Sequence, residues 1–183
     1  IMAPLKKLIK DKTAEDEDFS TLTRIYRQSG RMKNILNMVL DLRKMEVGKN
    51  RLELKSTDTE EWIRNTAGDM IDEEKSEGIE ISVEVNPGTE SIIIDRQKCE
   101  TVLTNILMNA IKHSKAGDHI RIWTELRGDM VRVSISDEGP GLGDVDMSRM
   151  FTRFYKSNSE KYGSGIGLSY SKILVELHGG RIA

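Results

Sequence analysis

Asn105 and Asn109 lie four residues apart, and Lys112 and His113 follow in the same helical phase. Val102, Leu103, Ile106, Ala110 and Ile111 fall elsewhere on that helix and make its apolar face. Asparagine forms helices poorly, and a merely solvated face would more often carry Glu and Lys, so two amides in this stripe need a reason. An amide oxygen is a neutral ligand for Mg²⁺, which takes one or two protein oxygens and fills its shell with phosphate oxygens and water. Asn109 is the candidate ligand. Helix surfaces also admit Asn at small cost, so the pair alone leaves a plain surface stripe open.

Two glycine-bearing segments add complementary chemistry. Asp137 ends a Val/Ile-rich run and precedes Gly139, Pro140 and Gly141. A carboxylate there can accept a hydrogen bond from an exocyclic amine such as adenine carries, and the glycines let backbone approach a flat base. Alone, the segment would read as an ordinary turn. Further on, Gly163-Ser164-Gly165-Ile166-Gly167-Leu168 leads into a helix. The N–H groups and dipole at such a helix start favour phosphate by roughly 0.3–1 kcal/mol when exposed. The segment lacks the Lys-Ser/Thr ending of a Walker loop and follows no clear strand, as a dinucleotide fingerprint would. The long connection from Leu142 to Tyr162 reads as a lid, with Phe151 and Phe154 anchoring its near end; core packing of both rings is compatible with that role. Four signatures in this order, within about sixty positions, describe an ATP site.

The surrounding pattern supplies elements to hold them. Thr21 to about Val47 is one long amphipathic helix, with Leu22, Ile25, Met32, Ile35, Leu36, Val39 and Leu42 on its stripe. With a broken helix at Pro4 to Lys12 and the acidic turn Glu15 to Asp18, it predicts an antiparallel hairpin that pairs with a second copy as a four-helix bundle. Beyond Gly48, a strand is expected at Leu52 and Leu54, and a helix starts where Asp58 stands three before Glu61. Strands are expected at Ile79 to Val85 and Ile92 to Ile94, a helix from Gln97 to His113, a hairpin of Ile120–Glu125 with Val131–Ser136, and a last helix from Ile166 to Leu177. This is an α+β chain: a helical hairpin followed by a two-layer α/β sandwich.

Composition narrows the function classes. The 183 residues carry a formal charge of −2, so no basic field is present to hold nucleic acid. Charged residues make up 32% of the chain, mean hydropathy is −0.46, and no apolar run is long enough to cross a bilayer. Cys99 is the single cysteine and cannot form an internal disulfide; it shares a face with Leu103, Ile106 and Ala110, which reads as a buried apolar position. The opening at Ile1 without a start methionine, and the close on Arg181-Ile182-Ala183, which reads as the start of a strand, suggest an excised piece.

From about Arg51 onward the chain resembles the catalytic and ATP-binding domain of bacterial sensor histidine kinases, with counterparts of its N, G1, F and G2 boxes. Residues 1–48, particularly Arg31 to Gly48, are similar to the dimerisation and phosphoacceptor hairpin of hybrid two-component regulators; residues 49–183 would be the catalytic domain, of the Bergerat or GHKL fold. The resemblance implies that Asn109 binds Mg²⁺ beside Asn105 and that Lys112 and His113 reach the phosphates. Asp137 would hold the adenine amine, Gly139 and Gly141 would shape the base pocket, and Lys156 would contact the γ-phosphate. Gly163, Ser164, Gly165, Ile166, Gly167 and Leu168 would line the triphosphate. It further implies a cytoplasmic homodimer, or the cytoplasmic part of a membrane-anchored parent, that passes phosphate to a response-regulator receiver domain.

One departure matters. The family's acceptor histidine lies early in its hairpin, whereas the histidines here are His113, His119 and His178. The acceptor is therefore expected upstream of Ile1, and this chain is expected to bind ATP without labelling itself. The rival class is an ATPase clamp resembling gyrase, the Hsp90 chaperones or mismatch-repair ATPases. Those place a general-base Glu four residues before the magnesium Asn, where Asn105 stands and cannot accept a proton near pH 7. A catalytically silent nucleotide sensor is the third possibility.

Overall fold

The computed structural model describes residues 21, 22, 25, 29, 32, 36, 38, 40, 51–142, 149–155 and 165–183. The chain divides into two compact units, residues 1–50 and 51–183. In the first, every described residue is helical; Met38 is buried, while Ile25, Met32, Leu36 and Leu40 are exposed. The expected helix at Pro4 to Lys12, the acidic turn at Glu15 to Asp18 and the helix end before Gly48 lie outside the described residues.

The second unit runs β1 (Lys55–Asp58), α1 (Thr59–Glu77), β2 (Glu80–Glu84), β3 (Ser91–Ile94), α2 (Arg96–His113), β4 (His119–Arg127), β5 (Met130–Ser136) and α3 (Gly167–Leu177). Helix α1 starts where expected, because the Asp58 carboxylate accepts the Glu61 N–H at 2.7 Å. Asp95 caps α2 by accepting from Lys98 N. It also takes the Lys98 ammonium at 2.7 Å and Glu53 N at 3.1 Å. Burial opposes charge on Asp95, but these hydrogen bonds outweigh it and hold the carboxyl below its ordinary range.

The strands form two sheets rather than the one expected. β1 and β3 pair antiparallel, with Lys55 opposite Ile94 and Asp58 opposite Ser91. The other sheet has the order β2-β4-β5: β4 is parallel to β2 and antiparallel to β5. The β4–β5 connection is a two-residue turn with Gly128 at φ 66°, so a positive φ falls on its first central residue as a type II′ turn requires. Trp62, Ile63 and Ala67 of α1 and Leu103, Leu107, Ala110 and Ile111 of α2 close over Ile79, Ile120 and Ile122 to make the core. Helices therefore cover one face of the larger sheet. On the other face Arg121 lies 5.3 Å over the Trp123 ring, beside Glu84.

Three expectations shift. Leu52 and Leu54 precede the strand instead of starting it: Glu53 N is taken by the Asp95 side chain rather than by a ladder partner, and Leu54 is exposed. On α2 the deepest residue is Leu107, wholly buried, while Val102 and Ile106 are only partly buried. The buried set 103, 107, 110, 111 follows the i, i+4, i+7, i+8 rule. Val102 and Ile106 instead share the flank of Cys99. Finally, residues 181–183 carry no strand.

Leu107→Ala should cost about 2–5 kcal/mol of unfolding free energy in urea denaturation, because it opens a cavity in the middle of the core. Ile106→Ala should cost clearly less; equal losses would contradict this division of the helix.

Candidate functional site

Helix α3 is tied to α2 at both ends. At its start, Asn105 Nδ2 donates to the Gly167 carbonyl at 3.3 Å and to Ser171 Oγ at 3.2 Å. At its finish, His178 Nε2 accepts the Asp95 N–H at 3.1 Å, and Nδ1 lies 2.7 Å from the Leu174 carbonyl. That pairing fixes the proton on Nδ1, since Nε2 is the acceptor. Asp95 precedes α2 and Asn105 lies near its middle, so α3 runs antiparallel to α2 along its first half.

The arrangement explains the flank of α2. Under α3 this flank carries Cys99, Val102 and Ile106; where α3 stops it carries Asn105, Asn109, Lys112 and His113. Cys99 Sγ lies 3.6 Å from His178 Nε2. Burial pushes its thiol up to about 12, helped by the Asp95 and Glu100 carboxylates, so it is an inert packing group.

The start of α3 points along the remaining half of α2. Ile166 provides no side-chain cap, and the first turn holds no acidic residue to offset the positive end of the dipole on that side. The Ile166 side chain is buried and Leu168 is partly buried, so both offer main chain here. Gly165 has φ 65°, and its carbonyl accepts the Phe154 N–H at 2.8 Å. A Cβ on Gly165 would sit 2.9 Å from Phe154 Cα, so only glycine fits. Phe154 thus holds Gly165 through its backbone, while its ring is 72% exposed, so the alternative of core packing does not apply to it. Phe151 is partly buried, with the Lys172 ammonium 6.0 Å from its ring centre.

The opposite boundary lies at the end of α2. A Cβ on Gly139 would fall 2.7 Å from the His113 carbonyl and 2.8 Å from Asp137 Oδ1, so the loop after β5 packs directly on the last turn of α2. Asp137 is exposed; its Oδ1 accepts the Gly139 N–H at 3.0 Å, which leaves Oδ2 for another donor. Gly141 has φ 70° and open space around it.

Asn105 marks one end of the stripe and His113 the other, eight residues or about 12 Å along the helix. Between them Asn109 is partly buried and forms no hydrogen bond among the described residues. Lys112 and His113 are exposed. The structure thus brings Asn105, Asn109, Lys112, His113, Asp137, Gly139, Gly165, Ile166, Gly167 and Leu168 around one stretch of α2; Lys156, Gly163 and Ser164 lie outside the described residues. Among the described residues, no three His, Cys, Asp or Glu side chains cluster as a metal cage would. Sequence reasoning missed Asp95, Ser171 and His178. Asp95 was detectable as an N-cap just before an apolar-periodic run, whereas Ser171 and His178 matter only once α3 is docked.

Residues 94–183 match the family model described as histidine kinase-, DNA gyrase B-, and HSP90-like ATPase. The chain is 28% identical over 173 residues to the alginate biosynthesis sensor protein KinB of Pseudomonas aeruginosa, covering 94% of this chain and 29% of that protein. It is 34% identical over 160 residues to the adaptive-response sensory kinase SasA of Prochlorococcus marinus, covering 83% of this chain and 42% of that protein. It therefore spans less than half the length of either relative. Among solved structures, full-length ShkA in complex with AMPPNP superposes with a TM-score of 0.71 at 25% identity, over 97% of this chain and 39% of that one.

Gly139→Ala should cost about 1–3 kcal/mol, read as a lowered urea midpoint, because the added carbon meets backbone. Gly167→Ala should leave the midpoint in place, since its Cβ would lie no nearer than 3.6 Å to Asn105. Equal behaviour of the two variants would contradict the tight seat of the loop on α2.

Proposed function

We propose that the chain is the ATP-binding catalytic core of a two-component sensor histidine kinase, a reading supported by the match of residues 94–183 to the histidine kinase-, DNA gyrase B-, and HSP90-like ATPase family model. One observation carries the reading: the uncapped start of α3 opens onto the same flank of α2 whose far end seats Gly139. A nucleotide laid along that flank has its base at the Asp137 loop and its phosphates at α3. The AMPPNP held by ShkA supports this, as does its similarity over nearly the whole chain.

The residues divide the work by chemistry. Asp137 Oδ2 accepts from the adenine amine, and Gly139 and Gly141 let backbone approach the base. Lys112 and His113 lie within reach of the phosphate chain, and the first turn of α3 receives its oxygens. The family resemblance assigns Lys156 to the γ-phosphate, and Gly163 and Ser164 to the lining of the triphosphate. A magnesium ion bound to the phosphates would neutralise charge developing on the transferred group, and the Asn109 amide oxygen suits it as a protein ligand. Transfer to an imidazole needs alignment and charge neutralisation rather than a base to activate water. Asn105, where the clamps carry their Glu, has no such base to offer.

By the family resemblance the acceptor is a histidine upstream of residue 1; His178, for its part, has both ring nitrogens committed within the fold. Residues 1–48 form the dimerisation hairpin, and the exposed Ile25, Met32, Leu36 and Leu40 are the side chains that a second copy would cover. Residues 49–183 are the catalytic domain. From the histidine, phosphate passes to the receiver domain of a response regulator. The assignment places the chain in the cytoplasm; among the described residues no helix is long and apolar enough to cross a membrane.

A chain extended upstream to its histidine and incubated with γ-labelled ATP and Mg²⁺ should gain acid-labile, base-stable label. Asp137→Asn in that chain should slow labelling at limiting ATP by about tenfold or more, since a mis-set amide leaves the adenine amine without its acceptor. Absence of label in the unsubstituted chain, or equal labelling by the variant, contradicts the reading.

A further inference from the structure

The geometry points to Asn105 as a positioning residue for the phosphates, acting through α3, rather than as a second magnesium ligand; this rests on the nucleotide reading above. Both of its side-chain hydrogen bonds among the described residues run from Nδ2, to the Gly167 carbonyl and to Ser171 Oγ. These acceptors lie one turn apart on α3, so a single amide spans the first turn of the helix whose N–H groups would meet phosphate. The turn has no side-chain cap of its own, and the backbone before it is bound at Gly165 to Phe154. Its position over the flank of α2 is thus set from Asn105 at one end and from the His178–Asp95 contact at the other.

Packing agrees with the bonding. A Cβ on Gly167 would lie 3.6 Å from both Cγ and Oδ1 of Asn105, ordinary contact distance, so the amide rests against the first residue of α3. Ser171 is wholly buried and cannot touch a ligand in the open space beyond the helix start. Any influence of Ser171 on nucleotide binding must therefore pass through the brace. By contrast Asn109, one turn further along, makes no hydrogen bond among the described residues and keeps its amide oxygen for a ligand.

Calorimetric titration of the chain with ADP, once with Mg²⁺ and once with excess EDTA, separates a brace from a metal ligand. Asn105→Ala should lose about tenfold in affinity and Ser171→Ala about threefold, each by the same factor in both conditions, and the double variant should bind no worse than Asn105→Ala. A loss for Asn105→Ala confined to the magnesium titration overturns the proposal in favour of a metal ligand. Unchanged affinity in Ser171→Ala overturns it as well, and that milder substitution carries the test if Asn105→Ala does not fold. Failure of the unsubstituted chain to bind ADP overturns the nucleotide reading itself, an outcome distinct from either.

Discussion

The antiparallel seat of α3 on the first half of α2 is the constraint on which the site depends. It has two fastenings: the Asn105 amide on Gly167 and Ser171, and the His178 ring on the backbone of Asp95. Because α3 is the shorter helix, it stops near the middle of α2 and does not itself cover the second half of the same flank. The change in side-chain type along that flank, from Cys99, Val102 and Ile106 to Asn109, Lys112 and His113, follows directly from where the cover ends.

Electrostatics then gives the open stretch a direction. The start of α3 supplies positive potential at one end. At the other, the Asp137 carboxylate and a loop in backbone contact with α2 form a neutral-to-negative boundary suited to a base amine. On the proposed nucleotide reading, a ligand with anionic groups at one end and a flat donor at the other would fit only one way round. Asp95 contributes from a distance: it caps α2 and its backbone N–H donates to His178 Nε2, so one short segment fixes both the start of α2 and the end of α3.

Much of this was legible in the sequence because it depends on local chemistry. The Asp58–Glu61 helix start, the hairpin around Gly128 and the span of α2 all rest on residues a few positions apart, and each appears within a residue or two of where it was expected. The pattern was weaker where long-range partners decide. Leu52 and Leu54 alternate like a strand, yet Glu53 is drawn to Asp95, forty-two positions on. Ile106 looked like core and Leu107 was overlooked, because periodicity alone cannot tell which flank of α2 faces the sheet and which lies under α3. The division into two sheets was equally hidden. On the site, the residue types were readable but their partition was not: that Asn105 commits its nitrogen to α3 while Asn109 keeps its amide unbonded needed the docked helix.

The central claim is that one ligand spans α2 from the Gly139 loop to the start of α3. Two-dimensional ¹H–¹⁵N spectra recorded while ADP and Mg²⁺ are titrated into the labelled chain test it most directly. Amides at Gly139 and at Gly165 to Ser169 should shift together along curves that fit a single dissociation constant. Shifts confined to one end, or two ends that titrate with different constants, would contradict the account.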